Sequence, residues 1–147
     1  MMAYKDILNT LGLKATPQRL SLIMLLERHG HMTIEAIYQA LKEETPSLSL
    51  STVYNNLSTL SQKGIVREVA IAGNPQMYEL MRHEHAHLVC RGCGAIEDMP
   101  VDFAAVKKAV TLPAGVLLEE SDLIFTGLCA RCAAKVSKAD AVLEAVR

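Results

Sequence analysis

The side chains in this chain best suited to chemistry are four cysteines, in two pairs, and a cluster of histidines beside the first pair. The first pair is Cys90 and Cys93, and the second is Cys129 and Cys132. Three histidines occur in the segment His83-Glu84-His85-Ala86-His87, directly before the first pair. Together these side chains offer donors for two metal ions, one bound by sulfur and one by nitrogen and oxygen.

The two Cys-x-x-Cys pairs supply four thiolates, which is a complete tetrahedral ligand set for Zn²⁺. Because 35 residues separate Cys93 from Cys129, the site would join distant parts of the chain. One alternative is four unrelated buried cysteines. A thioredoxin-like redox pair is disfavoured, because neither pair lies at the strand-to-helix turn of a βαβ unit. We therefore predict a structural Zn²⁺ bound by all four cysteines.

The histidine cluster predicts a second metal site. His85 and His87 are two residues apart, so on a strand they point to the same face, and His83 joins them if the strand extends that far. Further candidate ligands are His31, Glu79 and Asp98. Imidazole and carboxylate suit Fe²⁺, Mn²⁺, Zn²⁺ or Ni²⁺, and the spacing does not choose among these ions. The alternative interpretation is a solvated polar hinge.

Helical and strand-like patterns follow one another along the chain. Four helical segments come first, and Thr16, Thr33 and Ser49 are the predicted N-caps of the last three. Alternating apolar residues then predict strands over 65–71 and 77–80 around a Gly-Asn-Pro turn. Helices followed by a β-hairpin are typical of a winged helix-turn-helix.

A second domain is predicted to begin after Arg82. We expect strands at 87–89 and 95–99, a helix at 101–110, strands near 116–120 and 123–128, and a helix that runs to Arg147. The predicted fold class is α+β, with a winged helix-turn-helix domain over residues 1–82 and a small α/β domain over residues 83–147.

The fourth helix predicts contact with DNA. No Asp or Glu occurs between Thr45 and Arg67, and hydroxyl and amide side chains can bind phosphates and base edges. The predicted exposed face carries Ser51, Thr52, Tyr54, Asn55, Ser58, Thr59 and Gln62. Lys14, Lys63 and Arg67 are candidate phosphate contacts. The alternative is a solvated helix that happens to lack acids.

Composition narrows the classes of protein to which the chain can belong. Half of the 147 residues are hydrophobic, which supports a core without disulfides. No apolar run reaches the length of a membrane span, and the N-terminus has no signal-peptide core. We expect a cytoplasmic protein without a membrane partner, where cysteines stay reduced and bind metal. The net charge of −1 gives no global sign of nucleic-acid binding.

Two further function classes are alternatives. A metalloenzyme that uses His85 and His87 would need a catalytic base, and no HExxH arrangement is present, so we predict that the chain is not an enzyme. A zinc-stabilised protein-interaction module without DNA binding is the other alternative.

Four motifs, in order, resemble the ferric uptake regulator family across nearly the whole chain. They are Gly12-Leu13-Lys14-Ala15-Thr16-Pro17-Gln18-Arg19, Ser51-Thr52-Val53-Tyr54-Asn55-Asn56-Leu57, His85-x-His87-x-x-Cys90-x-x-Cys93-Gly94 and Cys129-x-x-Cys132. The resemblance implies a homodimeric winged-helix repressor that binds a palindromic DNA operator. It also implies that the C-terminal domain is the dimerisation domain, and that a divalent metal at the hinge holds the DNA-binding arrangement.

Within the family the chain is most similar to the peroxide-stress branch. That similarity implies regulatory ligands His31, Glu79, His85, His87 and Asp98, filled by Fe²⁺ or Mn²⁺, and places iron-catalysed oxidation on His31 or His85. Asp98 and Asn55 match the peroxide sensors, whereas Glu79 is the choice of the iron sensors. A nickel-sensing branch uses a third histidine near His83. An iron-, manganese- or nickel-responsive repressor without peroxide sensing is thus the alternative within the family.

Overall fold

The computed structural model describes residues 2–136 and forms two compact units that divide between Arg82 and His83. The first unit contains α1 (Met2–Thr10), α2 (Pro17–His29), β1 (Met32–Thr33), α3 (Ile34–Glu44), α4 (Leu50–Gln62), β2 (Val66–Val69) and β3 (Met77–Leu80). The second contains β4 (Ala86–Cys90), β5 (Ile96–Met99), α5 (Phe103–Ala109), β6 (Ile124–Gly127) and α6 (Ala130–Ala133). This mixture confirms the predicted α+β class.

The three predicted helix N-caps are confirmed. The hydroxyl oxygens of Thr16, Thr33 and Ser49 each accept a hydrogen bond, at 3.2–3.3 Å, from the backbone N–H three residues later. Each bond satisfies one of the donors that a helix N-terminus leaves unpaired. Pro17 occupies the start of α2, where its missing N–H costs nothing. Local sequence therefore sets where α2, α3 and α4 begin.

The core of the first unit lies where α2, α3 and α4 pack together with the two later strands. The apolar side chains Val53, Leu57 and Leu60 of α4 are almost fully buried. Two apolar side chains of these helices, Met24 of α2 and Leu50 of α4, are 41% and 40% exposed. Leu50 is the first residue of α4, and the buried residues of α2 are Leu22, Ile23 and Leu26.

Three strands form the wing sheet of the first unit, in the order β1-β3-β2 with antiparallel pairing. The register places Met32 opposite Tyr78 and Arg67 opposite Glu79. Strand β1 was not predicted, because two residues are too few to show a period. Its pairing with β3 brings the residue before it, His31, beside the central strand.

The sheet of the second unit has the order β5-β4-β6. Strand β4 pairs antiparallel with β5 and parallel with β6, and the parallel register sets Cys90 opposite Gly127. The predicted strand at 116–120 is wrong: these residues are exposed, and among residues 2–136 no strand pairs with them. A turn follows α6 at 134–136, and the rest of the predicted C-terminal helix lies outside the described residues.

Among residues 2–136, no helix combines the length and the apolar character that crossing a bilayer requires.

Candidate metal centres and nucleic-acid interface

The four cysteines form one cluster in the second unit. Cys90 is the last residue of β4, Cys93 lies in the turn that follows, Cys129 caps α6 and Cys132 lies within α6. Their sulfur atoms lie within 4.8 Å of one another. All four are free thiols. The parallel pairing of β4 with β6 creates this arrangement, because it carries both cysteine pairs to the same end of the sheet.

Hydrogen bonds favour thiolate at two of these sulfurs. The backbone N–H of Cys129 donates to Cys90 Sγ at 3.3 Å, and this bond is the main reason that the pKa of Cys90 is lowered to about 6. The backbone N–H of Ala95, followed by the side chain of Arg131, lowers the pKa of Cys93. The Cys129 side chain is the largest of several causes that raise the pKa of Cys132 to about 12. A cation is what would make all four sulfurs thiolates together.

The geometry fits a tetrahedral ion. Two sulfurs that share a Zn²⁺ at about 2.3 Å stand about 3.8 Å apart, and Cys93 Sγ lies 3.8 Å from Cys129 Sγ. The first loop also leaves no room for a side chain, since a Cβ on Gly92 would lie 3.1 Å from both Cβ and Sγ of Cys132. The residues present therefore suit a closed sulfur site.

The first unit brings two of the nitrogen and oxygen donors together. His31 Nε2 lies 2.7 Å from Glu79 Oε2. His31 precedes β1, and Glu79 lies on β3, where its side chain is buried. The other oxygen of Glu79, Oε1, accepts a hydrogen bond from Arg67 Nε. The carboxylate is therefore held on both sides.

The second unit brings together the other three donors. His87 lies opposite Asp98 in the β4–β5 register, and His85 Nε2 lies 3.6 Å from Asp98 Oδ1. The rings of His85 and His87 are 4.8 Å apart. His85 Nδ1 lies 2.9 Å from the carbonyl oxygen of His83; donation from Nδ1 to that oxygen leaves the Nε2 lone pair for an ion. The exposed His83 ring lies 6.4 Å from the His85 ring.

The predicted DNA contacts all lie in the first unit. Ser51, Tyr54 and Asn55 are exposed on α4, and Lys14 and Lys63 are exposed in the segments that flank α2 and α4. The hydroxyls of Ser51 and Thr52 lie 2.9 and 2.8 Å from the cap oxygen of Ser49. These two hydroxyls therefore help to build the helix N-terminus, while Tyr54 and Asn55 point away from the core.

Two arginines, Arg19 and Arg67, make contacts at these sites that the sequence does not predict. Arg19 donates from Nε to Asn56 Oδ1 at 3.2 Å and from Nη1 to the carbonyl oxygen of Lys14 at 2.8 Å, and so ties the Lys14 turn to α4. Arg67, predicted from the sequence as a phosphate contact, donates to Glu79 Oε1. The register of the predicted hairpin is the signal that could have placed Arg67 opposite Glu79.

Comparison with known proteins agrees with the fold. The ferric uptake regulator family model matches residues 10–125. The transcriptional regulator FurA of Mycobacterium tuberculosis is 34% identical over 134 residues, which cover 88% of this chain and 89% of FurA. The peroxide-responsive repressor PerR of Staphylococcus aureus is 38% identical over 88 residues, which cover 59% of this chain and 60% of PerR.

Solved structures give the same result. The peroxide stress regulator of Campylobacter jejuni is 31% identical, with a TM-score of 0.64 over 89% of this chain and 97% of that protein. The family match and the FurA match each span most of the chain, from the winged helix into the second unit. The chain therefore belongs to the ferric uptake regulator family and is a metal-responsive transcriptional regulator.

Proposed function

We propose that this chain is a homodimeric repressor that binds a palindromic operator when one divalent ion is held by ligands from both units. The ligand set is His31, Glu79, His85, His87 and Asp98. One observation carries the proposal. Each unit gathers imidazole and carboxylate donors, but neither has the whole set: two donors lie in the first unit and three in the second.

Such a division of ligands makes metal binding depend on domain arrangement. An ion that takes donors from both units binds best when the units adopt one relative arrangement, and it shifts the population toward that arrangement. To move a protein almost completely from one arrangement to another, an ion must bind the second arrangement more tightly by about 5.5 kcal/mol. Under this proposal, five ligands drawn from two units supply that difference.

Exposed apolar side chains support dimerisation through the second unit. Soluble monomers rarely expose many large apolar groups close together. In the described part of the second unit, the exposed large apolar side chains are those of Met99, Val110, Leu112, Val116, Leu117, Leu118, Ile124 and Phe125. A two-fold dimer would present two copies of α4, and such dimers read palindromic sites whose halves lie one helical turn apart.

We propose Zn²⁺ for the cysteine cluster, as a permanent structural ion, and Fe²⁺ or Mn²⁺ for the regulatory set. Bound Fe²⁺ supplies one-electron chemistry toward peroxide, whereas Mn²⁺ does not. His31 and His85 would hold the ion through Nε2, and their rings are the proposed targets of oxidation. A regulator that responds to iron, manganese or nickel without sensing peroxide is the second candidate, and Glu79 favours it, because iron sensors carry Glu at this position.

Replacing one cysteine tests the structural zinc. Cys132→Ser should lose its zinc and the ordered second unit, because a neutral hydroxyl is a poor zinc ligand. Zinc content and far-UV circular dichroism measure these losses. Tyrosine fluorescence should stay unchanged, since all four tyrosines lie in the first unit. Ala130→Ser, on the exposed surface of α6, is the control; full retention of zinc by Cys132→Ser would contradict the site.

Two substitutions separate base contacts from phosphate contacts. Asn55→Ala should weaken binding to an operator selected from random DNA by about 1–3 kcal/mol, and Lys63→Ala should weaken binding to all sequences and reduce the salt slope by about 1. Fluorescence anisotropy at several salt concentrations measures both effects. Lys5→Ala, an exposed lysine of α1, is the matched control. Equal effects of all three substitutions would argue against α4 as the reading helix.

Peroxide sensing is tested by mass spectrometry. After peroxide treatment the Fe²⁺-loaded protein should carry one added oxygen on His31 or His85 and should release its operator, whereas the Mn²⁺-loaded protein should do neither. His29, exposed at the end of α2, should remain unmodified. Unmodified histidines together with retained DNA binding in the iron form would favour the second candidate.

A further inference from the structure

Glu79 is held by a different cationic or basic partner at each oxygen. Arg67 on β2 lies directly opposite Glu79 on β3 in the antiparallel register, and its Nε donates to Oε1. The other oxygen, Oε2, faces His31 Nε2 at 2.7 Å. One oxygen of the carboxylate is thus directed to the candidate metal ligand and the other to the arginine.

Burial makes the pairing of Glu79 with Arg67 costly to break. The side chain of Glu79 is 4% exposed and that of Arg67 is 22% exposed. A charged carboxylate in such a place is costly unless it is paired and hydrogen-bonded, and a charge-assisted bond from an arginine also fixes its orientation. Rotation of the Glu79 carboxylate would break the bond to Arg67 in a poorly solvated place, so the observed orientation is strongly held.

This orientation limits how Glu79 can bind an ion. A carboxylate can ligate through one oxygen or through both, and two-oxygen ligation would turn Oε1 toward the ion and weaken its hydrogen bond with Arg67. We propose that Arg67 is a positioning residue that restricts Glu79 to ligation through Oε2 alone. Arg67 thereby keeps open a coordination position that a two-oxygen carboxylate would fill. This inference rests on the proposed regulatory metal site and adds a determinant of its coordination number.

The experiment uses full-length, zinc-containing protein to which Co²⁺ is added until the visible absorption is saturated. The d–d bands of Co²⁺ report coordination geometry, which is diagnostic of the ligand set. Arg67→Met removes the donor and keeps most of the side-chain volume. We expect a loss of d–d intensity per bound Co²⁺ and a shift of the bands, because a second oxygen raises the coordination number. Arg67→Lys, which keeps a charged donor, should restore the wild-type spectrum.

The controls separate this inference from the function that underlies it. Arg28→Met, at an exposed arginine of α2, should leave the spectrum unchanged. If Arg67→Met does not give native circular dichroism, Arg67→Gln takes its place, with the same loss expected. A wild-type spectrum in the substituted protein at saturating Co²⁺ would overturn the role of Arg67 and leave the regulatory site standing. Failure of the wild type to bind Co²⁺ beyond its zinc would overturn both.

Discussion

Strand β4 is the element on which both candidate metal centres depend. It is five residues long, it carries His87 near one end, and it ends at Cys90. Its neighbour β5 supplies Asp98, and its other neighbour, β6, leads into Cys129. A closed sulfur site at the end of β4 would therefore hold the strand that presents the nitrogen ligands. On this account the cysteine cluster sets the position of His87 without taking part in the response itself.

The two centres differ in the way that their proposed roles require. The sulfur cluster draws all its donors from one unit, and backbone N–H groups already favour thiolate at Cys90 and Cys93. The nitrogen and oxygen donors are divided between the units, with His31 and Glu79 in one and His85, His87 and Asp98 in the other. A site made within one unit suits a permanent ion, whereas a divided set suits an ion whose binding reports domain arrangement.

Two of the nitrogen and oxygen donors, His85 and Glu79, are in hydrogen-bonding contact with neighbouring groups. The carbonyl oxygen of His83 lies 2.9 Å from His85 Nδ1, where it can accept a hydrogen bond from that ring, and Arg67 donates to the carboxylate of Glu79. Partners of this kind tune a metal site nearly as strongly as the ligands themselves. In the described structure, His83 therefore contributes its backbone carbonyl beside the ligands. This role does not require the His83 imidazole to bind the ion.

Features fixed by local chemistry could be predicted from the sequence. The caps at Thr16 and Ser49 and the bounds of β3 depend on a few neighbouring residues, and the two Cys-x-x-Cys pairs carry their own chemistry. Features fixed by distant partners could not. Strand β1 exists only because β3 lies beside it, the segment 116–120 has an apolar pattern yet lies exposed, and the contacts of Arg19 and Arg67 depend on tertiary packing and sheet register.

If an ion bound by ligands from both units controls DNA binding, operator affinity must depend on Mn²⁺. Zinc-containing protein freed of other metal should bind its operator weakly, and Mn²⁺ should raise the affinity by about 5–150-fold, the usual range for coupled sites. Asp98→Asn, at an exposed side chain of β5, should lose most of this gain, whereas Glu97→Gln beside it should keep it. Equal affinity with and without Mn²⁺ in the wild type would show that metal bound by the two units does not control DNA binding.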